Sequence, residues 1–116
     1  MSQPAFDGGE VIPRPEKTPA ALKAALAVVA ADLLQEMVEG QSRAMAEAID
    51  SGSVQPLRNF VDHWAAIVEI ERFLRTSQAY HRANYLANHA GTVAECRRYA
   101  IEVAEIYRTA YAAVTG

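Results

Sequence analysis

The stretch SVQPLRNFVDHWAAIVEIERFLR, residues 53 to 75, carries the densest apolar pattern in the chain. At 100° per residue, Leu57, Phe60, Val61, Trp64, Ile67, Val68, Ile70, Phe73 and Leu74 cover well over half the circumference of a helix. Arg58, Asp62, Ala65, Ala66, Glu69 and Arg72 share the narrow remainder. A helix this apolar is central in its domain or buried by a partner. The spacing predicts a helix over 56–74, with Trp64 as a structural core anchor.

Upstream, Thr18 and Pro19 mark a helix start, the threonine as N-cap and the proline at the first helical position. Leu22, Leu26, Val29, Leu33 and Met37 then recur at three and four residues, one amphipathic face. Asp32 followed by Gln35 resembles a capping box. The segment 19–49 therefore reads as one long helix or, preferably, two, the second carrying Val38, Met45 and Ile49 until DSGS at 50–53 ends it. Downstream, a weaker helix is expected over 78–89, capped by Thr76 or Ser77 and closed by Gly91. Thr92 and Glu95 form a second capping box, followed by a seam of Val93, Cys96, Ala100, Val103, Tyr107, Ala110 and Val114. Cys96 in that seam reads as a structural core residue. No period-2 run or hairpin dipeptide interrupts the pattern. The expected fold is all-α, a compact bundle of four to five helices over 18–116. A flexible or extended Pro-rich tail, with three prolines and two glycines, occupies 1–17.

Composition sharpens this picture in two ways. Apolar residues make up 51% of the 116, but 23 of them are alanines, which favour helix and add little burial. The core should be thin and open to completion by another protein or a second copy. The formal charge of −3 also hides an asymmetry. Residues 32–71 hold eight acids against Arg43 and Arg58; residues 72–116 hold six arginines against Glu95, Glu102 and Glu105. Such a layout can steer a basic partner to one half of the molecule. A single cysteine, a polar N-terminus and no long apolar run point to a cytoplasmic protein with no membrane role.

Chemistry is sparse. His81, Tyr85 and His89 fall on one helix face, but the histidines are ~12 Å apart at the helical rise, so no metal is expected. His63 and Glu71 sit among large apolar residues without a nucleophile or phosphate loop. They read as structural polar groups, Glu71 accepting from Arg82 or Arg97 and His63 bonding a carbonyl or tyrosine. Neither an enzymatic role nor a cofactor is expected. Arg72, Arg75 and Arg82, interleaved with Phe73, Tyr80 and Tyr85, supply a nucleic-acid alternative as a small transcription-associated regulator.

Thr18, Pro19, Ala21, Leu22, Ala24 and Ala25, then Pro56, Leu57, Phe60, Val61 and Trp64, carry a likeness over about residues 18 to 75. With the acidic stretch LLQEMVEG between them, the chain resembles a family of small actinobacterial proteins described as a domain of unknown function. Some members of such families look like antitoxins paired with small basic RelE/ParE-type toxins. The resemblance implies a protein–protein interaction module, and the acidic contact helix suggests Glu36, Met37, Glu39 and Glu47 as partner-binding residues.

Overall fold

The structure is a computed structural model that describes residues 9–116. Residues 1–8 of the expected tail lie outside the described residues. Five α-helices follow in order: α1 (Pro19–Val29), α2 (Leu34–Ser51), α3 (Gln55–Glu71), α4 (Leu74–Asn88) and α5 (Val93–Thr115). A 3-10 turn, Ala31–Leu33, joins α1 to α2. The all-α bundle expected from the pattern is what forms. Among the described residues, the β-type pairing is one isolated antiparallel bridge between Glu10 and Phe73.

The local signals act largely as their chemistry dictates. Thr18 Oγ1 accepts from the Ala21 N–H at 3.2 Å, and Thr92 Oγ1 from the Glu95 N–H at 3.1 Å. Residues 19–49 form two helices, but Asp32 does not cap the second. Ala30 leaves the helical region instead (φ −158°), and the chain turns through the 3-10 segment. Gly52 ends α2 at φ +71°, a left-handed conformation that glycine adopts without steric cost.

The helix α3 is the axis of the domain. Every residue from Trp64 to Arg72 is buried, nine in a row, so no side of this segment faces water. The α1 and α2 helices cover one side through Leu22, Leu26, Met37 and Ala44, packed with Phe60, Trp64 and Val68. On the other side Ala66 and Ile70 meet Ala110 of α5, with Tyr80, Ile106, Tyr107 and Val114 around them. From Ala65 to Arg72 the narrow face of small and polar residues is thus buried too. Its alanines let neighbouring helices approach closely, and its buried charges, Glu69 and Arg72, are paired.

Two expectations are corrected here. The helix break lies earlier than the apolar pattern suggested, at Phe73 (φ −112°, ψ 119°), and α4 starts at Leu74 without a cap from Thr76 or Ser77. Its cause is tertiary. The Val11 N–H donates to the Arg72 carbonyl at 2.7 Å, and the Leu74 N–H donates to the Gly9 carbonyl at 2.9 Å, which holds Phe73 extended. Residues 9–17 are therefore a strap fastened across the α3–α4 junction. Cys96 is the second correction: it is exposed, not core. The α5 seam is half-buried only from Val103 onward, because α3 reaches only the C-terminal half of α5, and Val93 is 74% exposed.

Burial on all sides predicts a sharp contrast between two isoleucines. Ile70→Ala should lower stability by about 2 to 5 kcal/mol, whereas Ile49→Ala on exposed α2 should stay within about 0.5 kcal/mol. Urea unfolding followed by circular dichroism measures both; similar losses would place the core elsewhere.

Candidate functional site: polar fasteners and two faces of the acidic helix

The burial of α3 forces its ionisable groups to find partners inside the protein, since an unpaired buried charge costs several kcal/mol. Glu69 accepts from Arg14 Nε at 3.0 Å and Nη2 at 2.8 Å, and from Arg72 Nε at 2.8 Å. Arg72 also donates to the Ile12 carbonyl at 3.2 Å, pairs with Glu10, and lies over the Phe73 ring at 4.2 Å. Burial pushes the Glu69 carboxyl up, but hydrogen bonds and charge from Arg14 and Arg72 outweigh it and hold the group below the usual carboxylate range. The network links three strap residues, Glu10, Ile12 and Arg14, to the α3 C-terminus.

Glu71 is fastened differently from the expectation. It accepts from Ser77 Oγ at 2.7 Å and from His81 Nε2 at 2.8 Å, both on α4, rather than from Arg82 or Arg97. The α4 helix begins three residues after Glu71, so its first two turns reach back over the carboxylate before any distant arginine can. His63 does find a tyrosine: Nδ1 lies 2.7 Å from Tyr107 Oη on α5. Burial lowers the His63 pKa against the opposing charge of Glu36, and burial pushes the Tyr107 phenol up. Both directions favour the neutral forms, so a neutral phenol and a neutral imidazole share this hydrogen bond. Both residues tie α3 to a neighbouring helix, as structural polar groups do.

The partner-binding candidates separate on α2. Met37 is only 1% exposed and packs against the α1 and α3 core, so it is not a contact residue. Its spacing from Leu22 and Leu26 put it on the buried face. Glu36, Glu39 and Glu47 are exposed. Glu39 accepts from Gln35 Nε2 at 3.3 Å, while Glu36 and Glu47 line a cleft with Arg43, Asn59, His63 and Trp64. Arg72 leaves the nucleic-acid candidates because Glu69 and Glu10 hold it inside; Arg75 and Arg82 remain exposed on α4.

The apolar stripe that the pattern gave to the second helix lies uncovered on the opposite edge of α2. Val38, Met45 and Ile49 form an exposed apolar stripe, Met45 at 50% and Ile49 at 78%. The stripe runs into a groove of ≈ 710 Å³ lined by Pro19, Met45, Val54, Leu57, Phe60 and Val61, with Lys17, Arg58 and Asp62 at its rim. A second hollow shares Met45, Val54 and Leu57 and adds Ala48 and Ile49, so the two are continuous. Lys17 bridges the rim to Asp62 at 2.7 Å and to the Val114 carbonyl at 3.1 Å. Periodicity gave Val38, Met45 and Ile49 the character of a core stripe. The real core direction on α2 runs through Met37 and Ala44, about 80 to 140° away at 100° per residue. Among the described residues no cluster of three or more metal-ligating side chains forms, and no helix is long and apolar enough to cross a membrane.

The depressed His63 pKa sets a pH dependence. Its neutral form is favoured in the folded state, so an unfolded chain takes up a proton first as pH falls below the ordinary value of 6.5. Stability should decline from that point down until the folded imidazole also protonates. Thermal melts across this window should show a steeper decline for the wild type than for His63→Gln; parallel curves would mean that the ring is not buried as described.

Compared with protein families, curated proteins and solved structures, the chain matches none.

Proposed function

We propose that this chain is a non-enzymatic protein–protein interaction module that seats an apolar, basic segment of another protein along α2 and the elbow leading into α3. One observation carries the reading: Met45, Ile49 and Val54 are exposed together along a continuous groove. Contiguous apolar surface of this kind marks interaction sites. The charge of α2 supports a basic occupant, since Glu36, Glu39, Glu47 and Asp50 face a single cation, Arg43. Acidic surface steers a cationic partner, and the apolar groove then holds its anchor side chains. Antitoxin-like neutralisation of a small basic toxin in the cytoplasm, which the family resemblance implies, is a specific form of this role.

A second reading retains Arg75 and Arg82, seven residues apart on exposed α4, as contacts to nucleic acid. Retention on DNA that falls steeply with salt and is lost in R75A/R82A would favour it.

The leading reading is tested by co-expression with a small basic protein encoded by a neighbouring reading frame and toxic alone. Wild-type chain should restore growth and bind the purified toxin. Met45→Asp with Ile49→Asp should weaken binding at least about thirtyfold, the loss of one buried anchor of about 2 kcal/mol. Failure of the wild type to rescue, or rescue by the folded double variant at wild-type affinity, would contradict the proposal.

A further inference from the structure

A different face of the molecule carries both signs of charge on two edges. The cleft of ≈ 290 Å³ that holds Glu36 and Glu47 is floored by α3, with His63 and Trp64 in its lining. His63 reaches α5 through its hydrogen bond to Tyr107, whose ring centroid lies 6.0 Å from that of Tyr111. Beyond that contact, Ala104, Tyr107, Arg108 and Tyr111 line a shallow hollow of ≈ 360 Å³. The acidic edge of α2 and this edge of α5 therefore flank one surface, with the half-buried His63–Tyr107 pair between them.

The α5 edge has its own pattern. At 100° per residue, Val93, Ala100, Ala104 and Tyr111 fall within a sector about 40° wide, and Arg97 and Arg108 lie immediately beside it. The acids Glu95, Glu102 and Glu105 sit on the other side of the helix. Val93 and Tyr111 are exposed, as are both arginines. An apolar stripe edged by arginines thus stands across from an edge where Glu36 and Glu47 outnumber Arg43.

We propose that this face joins two copies of the chain in a two-fold dimer, with the acidic edge of α2 in each copy against the arginine-edged stripe of α5 in the other. Charge complementarity selects a second copy as the occupant. A two-fold axis near the His63–Tyr107 pair exchanges the two edges, so one rotation satisfies both contacts at once, as an isologous interface requires. A partner of uniform sign would satisfy one edge and be repelled by the other. The groove at Met45 and Val54 lies on the other edge of α2; the dimer draws on Glu36 and Glu47, which also contribute to the acidic steering proposed above, but not on the groove itself.

Charge reversal on the full chain tests it, read by sedimentation and light scattering over a concentration series. The wild type should dimerise in low salt and dissociate toward about 0.5 M salt, where screening shortens to a few ångströms. R97E/R108E alone, and E36R/E47R alone, should each weaken the dimer at least about tenfold, because like charges then meet at both contacts. Mixing the two variants should restore a heterodimer, since each supplies the edge that the other now needs. The fourfold variant should regain a homodimer for the same reason. Circular dichroism and Trp64 emission confirm that each variant is folded. A monomeric wild type at low salt, a dimer indifferent to both reversals, or folded variants that do not associate on mixing would overturn the proposal.

Discussion

The structure depends on one buried carboxylate. Glu69 sits on a helix segment with protein on every side, and it is stable there as an anion only because Arg14 and Arg72 both donate to it. Arg72 in turn is buried and requires Glu69 and Glu10. Removing any member leaves a charge that water cannot reach easily, so the group acts as a unit. The consequence is architectural. Arg14 lies 55 residues from Glu69, and its side chain, with Glu10, holds residues 9–17 across the α3–α4 junction. That strap then supplies the two backbone hydrogen bonds that keep Phe73 extended and let α4 turn away from α3.

Much of this order is legible in the residues. The all-round apolar character of 56–74 identified the central helix, and Thr18, Pro19, Gly52 and Thr92 marked boundaries through chemistry confined to a few neighbours. His63 and Glu71 announced themselves as polar residues within an apolar helix, and both are satisfied by side chains of adjoining helices. What the pattern could not place was decided over long separations. Phe73 continues the helical periodicity of α3, and only pairing with residues some 60 positions earlier breaks it. Arg72 looked like a free cation because Glu10 lies 62 positions earlier, and Glu69 was read with it on one narrow face without being read as its partner. Cys96 continues a seam whose partner helix does not extend that far, so its periodicity is real and its burial is not.

The demands of the core also leave α2 with two uncovered edges. A small, alanine-rich domain has limited apolar surface with which to close around itself, and α3 takes most of what is available. Met37 and Ala44 are spent on that contact. What remains on α2 is an uncovered apolar edge on one side, with Met45 and Ile49, and an acidic edge on the other, with Glu36 and Glu47. The two edges differ in chemistry, which is the basis for proposing a foreign apolar segment on one and the arginine-edged stripe of a second copy on the other.

The most direct test of the central claim is the titration of the Glu69 carboxyl, followed by its side-chain carbon resonance in the intact protein. The two arginines require it to ionise below its ordinary value of 4.5. A midpoint at or above that value would mean that burial prevails unopposed, that the arginine pairs do not form, and that the strap is not fastened to the central helix.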